Sequence, residues 1–158
     1  MTATEPGISV RRSVTVPLPP QRAFDLFAVR MGAFWPRAYS IGAAPMADLV
    51  VEPGPGGRWY EVGEDGSECT WGSVLVWEPP HRIVLAWQID DTWHYREDLV
   101  TEVEVVITAD GAGGSTLDLE HRHLERMGPA GESMRAVFGG DHGWRGILAG
   151  LVTAATAP

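Results

Sequence analysis

The sequence predicts an α+β fold: a curved antiparallel β-sheet wrapped around a long C-terminal α-helix, with two short helices after the first strand. Three patterns predict it. Residues 71–87 set runs of Val, Leu, Ile and Trp on either side of Glu78-Pro79-Pro80-His81, a hairpin signal. Residues 99–108 and 116–123 alternate apolar and polar side chains, as strands with one wet face do. Met134, Val137, Phe138, Trp144, Ile147, Leu148 and Leu151 then recur at the spacing of an amphipathic helix.

Taken in order, Ile8, Val10, Val14 and Val16 share one parity and predict a first strand. Arg12 interrupts that face, which implies a bulge or a polar group facing inward. Pro17 to Pro20 lead into a short helix carrying Ala23, Phe24 and Phe27, because proline is tolerated in a first helical turn. The helix should break near Gly32. Residues 36–47 have no period and read as a flexible loop beside a pocket. Short strands follow at 48–52 and 58–62, separated by the Pro53–Gly57 turn. Residues 90–98 are polar and read as a loop. Glycines 139, 140, 143, 146 and 150 weaken the final helix by about 0.5–1 kcal/mol each relative to Ala, so packing must hold it.

The hairpin sets the expected register. If Glu78 and His81 close the turn, Trp77 faces Arg82, Val76 faces Ile83, Val74 faces Leu85 and Gly72 faces Trp87. One face is then Gly72, Val74, Val76, Ile83, Leu85 and Trp87. The other carries Trp71, Leu75, Trp77, Val84 and Ala86, an apolar stripe that would suit a second copy or a protein partner. The alternative is that Arg82 stacks on Trp77 and loops cover the rest.

The 158 residues suit one domain, expected over 8–153 with flexible tails at 1–7 and 154–158. Twelve basic and 21 acidic residues give a net charge of −9, which disfavours a nucleic-acid partner. The single Cys69 cannot form an internal disulfide. No signal peptide and no long apolar run is visible, so a cytoplasmic location without membrane insertion is expected.

Several stretches together resemble a known family. They are Ala23-Phe24 with Phe27; Phe34-Trp35-Pro36; Glu52-Pro53 with Gly56-Gly57-Arg58; Asp65-Gly66; Trp71-Gly72 with Val74; Pro79-Pro80-His81-Arg82 with Trp87; Thr101-Glu102-Val103; Thr116 with Leu119-Glu120-His121-Arg122; and Gly143-Trp144 with Leu148. Over about residues 8–151 the chain is similar to the activator of heat-shock-protein-90 ATPase homologue family. That family lies in the START-like (SRPBCC) superfamily, which also holds polyketide cyclases. The resemblance implies the helix-grip fold and an apolar cavity between sheet and C-terminal helix. Many relatives carry Trp where Phe34 stands and His where Tyr39 stands, so the end near the short helices should differ in shape.

The expected function is therefore to bind a small hydrophobic molecule without turning it over. Candidate wall residues are Phe34, Trp35, Tyr60, Leu85, Trp87, His121, His123, Phe138 and Trp144; the alternative is that they pack solidly on one another. Burial in such a pocket gains roughly 25 cal/mol per Å² of apolar ligand surface. His121 and His123 share the face of Leu117 and Leu119. With His142 or Asp141 they could hold a metal, but no Cys pair or His-Glu-x-x-His run supports one, and neither metal nor cofactor is expected. If the protein is instead a cyclase- or hydrolase-like enzyme, His121 is the acid or base. A third reading is a co-chaperone-like module that docks through the Trp71, Leu75 and Trp77 face.

Overall fold

The structure, a computed structural model, describes residues 7–157. Most of the expected N-terminal tail lies outside the described residues. Seven antiparallel strands form one curled sheet: β1 (Val10–Val16), β2 (Met46–Val51), β3 (Arg58–Gly63), β4 (Glu68–Glu78), β5 (Arg82–Trp87), β6 (Thr101–Ala109) and β7 (Ser115–Arg122). Their order across the sheet is β1-β7-β6-β5-β4-β3-β2. Helix α1 (Pro20–Phe24) continues into a π-turn at Asp25–Val29, and 3₁₀ turns follow at Met31–Ala33 and Arg37–Tyr39. The C-terminal helical segment runs from Leu124 to Thr156, 33 residues. This is the helix-grip arrangement.

That last segment is stepped. A 3₁₀ stretch (Leu124–Ala130) leads into α2 (Gly131–Gly139), and a turn at 140–143 separates α2 from α3 (Trp144–Thr156). Gly143 makes the step possible: a Cβ there would stand 2.2 Å from the Phe138 carbonyl oxygen. Only glycine lets the two helices approach so closely. Phe138 and Trp144 consequently face the sheet side by side. Helix α3 continues past the expected boundary at 153 and buries Ala155, so residues 154–156 are helix rather than tail.

The central hairpin departs from the expected register, and the departure relocates two tryptophans. Glu78 pairs with Arg82 and Trp77 with Ile83, so the turn holds one residue more than expected. The offset disappears within β4: Val76 pairs with Val84 but Val74 with Leu85, leaving Leu75 as an extra residue. A second extra residue stands where Trp59 pairs with Gly72 and Tyr60 with Thr70; it is Trp71. Each bulge re-aims the side chains beside it. Trp77 packs edge-on to Phe24, with ring centroids 5.1 Å apart, and Trp71 is 1 % exposed within the core. The apolar stripe of Trp71, Leu75 and Trp77 is therefore not a surface; of the three, Leu75 alone is exposed.

On the outer face, Val84 and Ala86 lie opposite Glu104 and Glu102, and both are buried. Ion pairs lie over them: Arg82 Nε to Glu104 at 2.7 Å, and Arg122 to Glu102 at 2.9 Å and to Glu104 at 3.2 Å. Arg12 causes no bulge. It faces inward opposite Leu119 and donates to the Gly139 carbonyl, where a cation meets the negative end of α2.

Candidate ligand-binding site

Three elements meet at one end of the sheet and leave a pocket of about 330 Å³. The sheet contributes Trp71, Trp87 and Ile89. The stepped helices contribute Phe138, Trp144 and Ile147. The loops contribute Trp35, Tyr39 and Ile41 on one side and Trp93 on the other. Among the described residues none that lines the pocket is Asp, Glu, Lys or Arg, and its titratable side chains are Tyr39 and His142.

The indoles pack edge to face. Trp35 lies 5.3 Å from Trp71 and 5.7 Å from Trp144; Trp87 lies 5.7 Å from Trp71, 5.9 Å from Trp144 and 5.4 Å from Phe138. Such geometry suits ring quadrupoles and gives a stiff wall. Trp87 is further fixed by its Nε1–H, which donates to the Ile89 carbonyl at 3.2 Å.

Of the nine residues expected to line a ligand site, the structure brings four to this pocket: Trp35, Trp87, Phe138 and Trp144. The other five lie elsewhere. Phe34 stacks on Phe27 at 5.9 Å, within the core. Leu85 is fully buried in the sheet's inner layer. Tyr60 faces away from the core, with the Arg58 guanidinium over its ring at 4.3 Å. Its neighbours Trp59 and Glu61 take the inward parity. His123 follows β7 in a left-handed conformation (φ +66°) and turns outward to Glu125 at 3.5 Å and Glu102 at 3.9 Å. His121 and His123 thus diverge. Among the described residues no three His, Cys, Asp or Glu side chains converge as metal ligands.

His121 is the fifth, and its surroundings specify its proton. The Trp144 indole can only donate, and its Nε1–H gives a 3.1 Å hydrogen bond to His121 Nδ1. Nδ1 therefore carries no proton, and Nε2–H donates to Thr101 Oγ1 at 2.8 Å. Thr101 donates in turn to the Trp87 carbonyl at 3.0 Å. Burial lowers the His121 pKa to about 3, so the ring is neutral. With both nitrogens engaged inside the core, it is no acid or base for a ligand. It ties the helix wall, Trp144, to the sheet wall, Trp87.

Residues 36–47 and 90–98, which have no period, supply Tyr39, Ile41 and Trp93. Sequence reasoning read the first segment as a loop beside a pocket and the second as a polar loop, but missed these three residues. It also missed Glu61, which is 1 % exposed. The Glu61 carboxylate accepts from Ser40 Oγ–H, from the Ile41 N–H at 2.8 Å and from Trp71 Nε1–H at 3.1 Å. It pins the 40–41 loop against the bulged tryptophan. One signal was available: Glu61 shares the parity of Trp59, an acid on an apolar face.

Residues 18–156 match the family described as activator of Hsp90 ATPase homolog 1-like protein. No curated protein matches the sequence. Among solved structures, the chain is 34% identical to Txn09, an anthrahydroquino-γ-pyrone synthase, with a TM-score of 0.66 over 93% of this chain and 96% of that one. It is 32% identical to CalC, a self-sacrificing resistance protein from Micromonospora echinospora, with a TM-score of 0.68 over 94% of each chain. CalU16 from the same organism, at 18% identity and a TM-score of 0.60 over 96% of this chain and 85% of that one, shares the fold. No helix among the described residues is long and apolar enough to cross a membrane.

Proposed function

This chain belongs to the activator of Hsp90 ATPase homolog 1-like family, and we propose that it binds an uncharged, flat aromatic molecule in the tryptophan-walled pocket. The observation that carries the reading is the pocket wall: five indoles and Phe138 around about 330 Å³, with no Asp, Glu, Lys or Arg among the described lining residues. A charged ligand would lose its hydration there without gaining a partner. A fused-ring aromatic gains edge and face contacts from rings already held in place. The volume sits near the lower end of small-molecule pockets, about 300–1,000 Å³. The name of Txn09 supports the same chemistry, since an anthrahydroquino-γ-pyrone is a fused aromatic system.

Titration with 1,8-dihydroxyanthraquinone, read by quenching of intrinsic tryptophan fluorescence, tests it. Quenching should saturate at one molecule per chain; quenching that never saturates, or none at all, sinks the proposal.

A second reading is favoured by the 34% identity to a synthase: ring closure in such a molecule, with Tyr39 and His142 as the titratable groups on the wall in place of His121. The model reaction is 1-(2-hydroxyphenyl)butane-1,3-dione to 2-methylchromone and water. The phenol oxygen adds to the distal carbonyl, and that carbonyl oxygen leaves as water. Chromatography should show enzyme-dependent chromone that is lost in His142→Ala; an unaltered rate in that variant removes this reading.

A further inference from the structure

We propose that Trp93 is the ligand-contacting cap of the pocket, held at its mouth in a strained backbone conformation so that its indole meets the face of a flat ligand. The inference rests on the binding reading above and adds to it a residue and a shape requirement.

Trp93 stands at φ +64°. For a bulky side chain this region is a true outlier, because Cβ crowds the following carbonyl. A tight turn enforces it. Asp90 Oδ1 accepts from the Thr92 N–H at 2.9 Å, the His94 N–H at 3.0 Å and Thr92 Oγ1–H at 2.7 Å, while the Asp90 carbonyl accepts from the Trp93 N–H at 3.0 Å.

Burial repays little of this arrangement. Trp93 is 43 % exposed, whereas the other indoles of the pocket are at most 4 % exposed. What the turn does achieve is placement: the indole lines the pocket and stands edge-on to Phe138, at 6.2 Å and 90°. Val137, also 43 % exposed, lines the same mouth. Strain held at a pocket rim, for a side chain left in water, is the pattern expected of a residue waiting for an occupant. An occupant that covers both Trp93 and Val137 while lying along the Phe138 edge is flat and apolar, the class proposed above.

Trp93→Gly separates a ligand role from a packing role, because glycine relieves the backbone while removing the ring. The probes are 1,8-dihydroxyanthraquinone, which is flat, and 1-adamantanol, which is apolar and globular. Wild type should prefer the flat probe. Trp93→Gly should melt at or above the wild-type temperature, bind the flat probe about tenfold more weakly and lose the preference, while Trp93→Phe retains most of the affinity. Wild-type affinity in the glycine variant overturns the inference. So does affinity lost together with a lowered melting temperature, which would make Trp93 a packing residue. Equal affinity of the two probes for wild type overturns the shape requirement. If neither probe binds wild type, the binding reading itself fails, and this inference with it.

Discussion

At His121 a donor-only neighbour decides a tautomer. Trp144 can offer nothing but a proton, so the imidazole must receive it at Nδ1 and carry its own on Nε2. Nitrogen-15 spectra should show a pyridine-like Nδ1 and a pyrrole-like Nε2 that do not titrate between pH 5 and 8; a titrating ring contradicts the assignment. The sign of the effect on stability follows. Below pH 6.5 the unfolded chain takes up a proton that the folded ring, with its pKa near 3, refuses. This group's contribution is thus fully present above pH 6.5 and is lost as pH falls from there towards 3, at up to about 1.4 kcal/mol per pH unit. His121→Gln cannot titrate, so denaturation of that variant across this range should lack that part of the slope. Alternation along β7 placed His121 on the buried face correctly. Whether that face was pocket or core depended on Trp144 and Thr101, which strand parity does not locate. Glu61 teaches the converse: an acid at inward parity reads as an error in the pattern until the three donors from Ser40, Ile41 and Trp71 are seen around it.

At the scale of elements, the strands and the terminal helices were legible because period-2 and period-3.6 patterns arise from the chain's own geometry. The β4–β5 pairing was legible as far as Val74–Leu85 and Gly72–Trp87. Bulges lie beyond such reading: an extra residue changes parity without changing composition, and it moved Trp71 and Trp77 from the outer face to the inner. The Trp71 bulge depends on Gly72, whose Cβ would come within 1.8 Å of the Ala86 carbonyl oxygen. Gly72→Ala should therefore destabilise the protein by roughly 1–3 kcal/mol, since the backbone must shift. Chemical denaturation checks this, and a loss under 0.5 kcal/mol, the ordinary range for a surface substitution at about ±0.5 kcal/mol, would count against a bulge held by that contact. The step between α2 and α3 was visible as a run of glycines, but the run reads equally as a weak helix. Only the closeness of Gly143 to the Phe138 carbonyl shows that the chain turns there.

For the whole molecule, the pocket exists because three separately legible pieces converge: the ends of β4 and β5, the stepped helices, and two loops without a period. Three of the nine expected wall residues, Trp87, Phe138 and Trp144, came from the first two pieces, and a fourth, Trp35, came from a loop. The loop residues Tyr39, Ile41 and Trp93 could not be found by periodicity, because their placement follows from the Glu61 anchor and the Asp90 turn. The central claim is that a flat aromatic enters at this end of the sheet and nowhere else. The seven indole N–H resonances, one from each Trp, survey the molecule from the pocket to the far side. On titration with 1,8-dihydroxyanthraquinone, two-dimensional proton–nitrogen spectra should show the signals of Trp35, Trp71, Trp87, Trp93 and Trp144 moving together, while Trp77, packed on Phe24, stays still. Stationary pocket indoles, or a response largest at Trp77, would contradict the account.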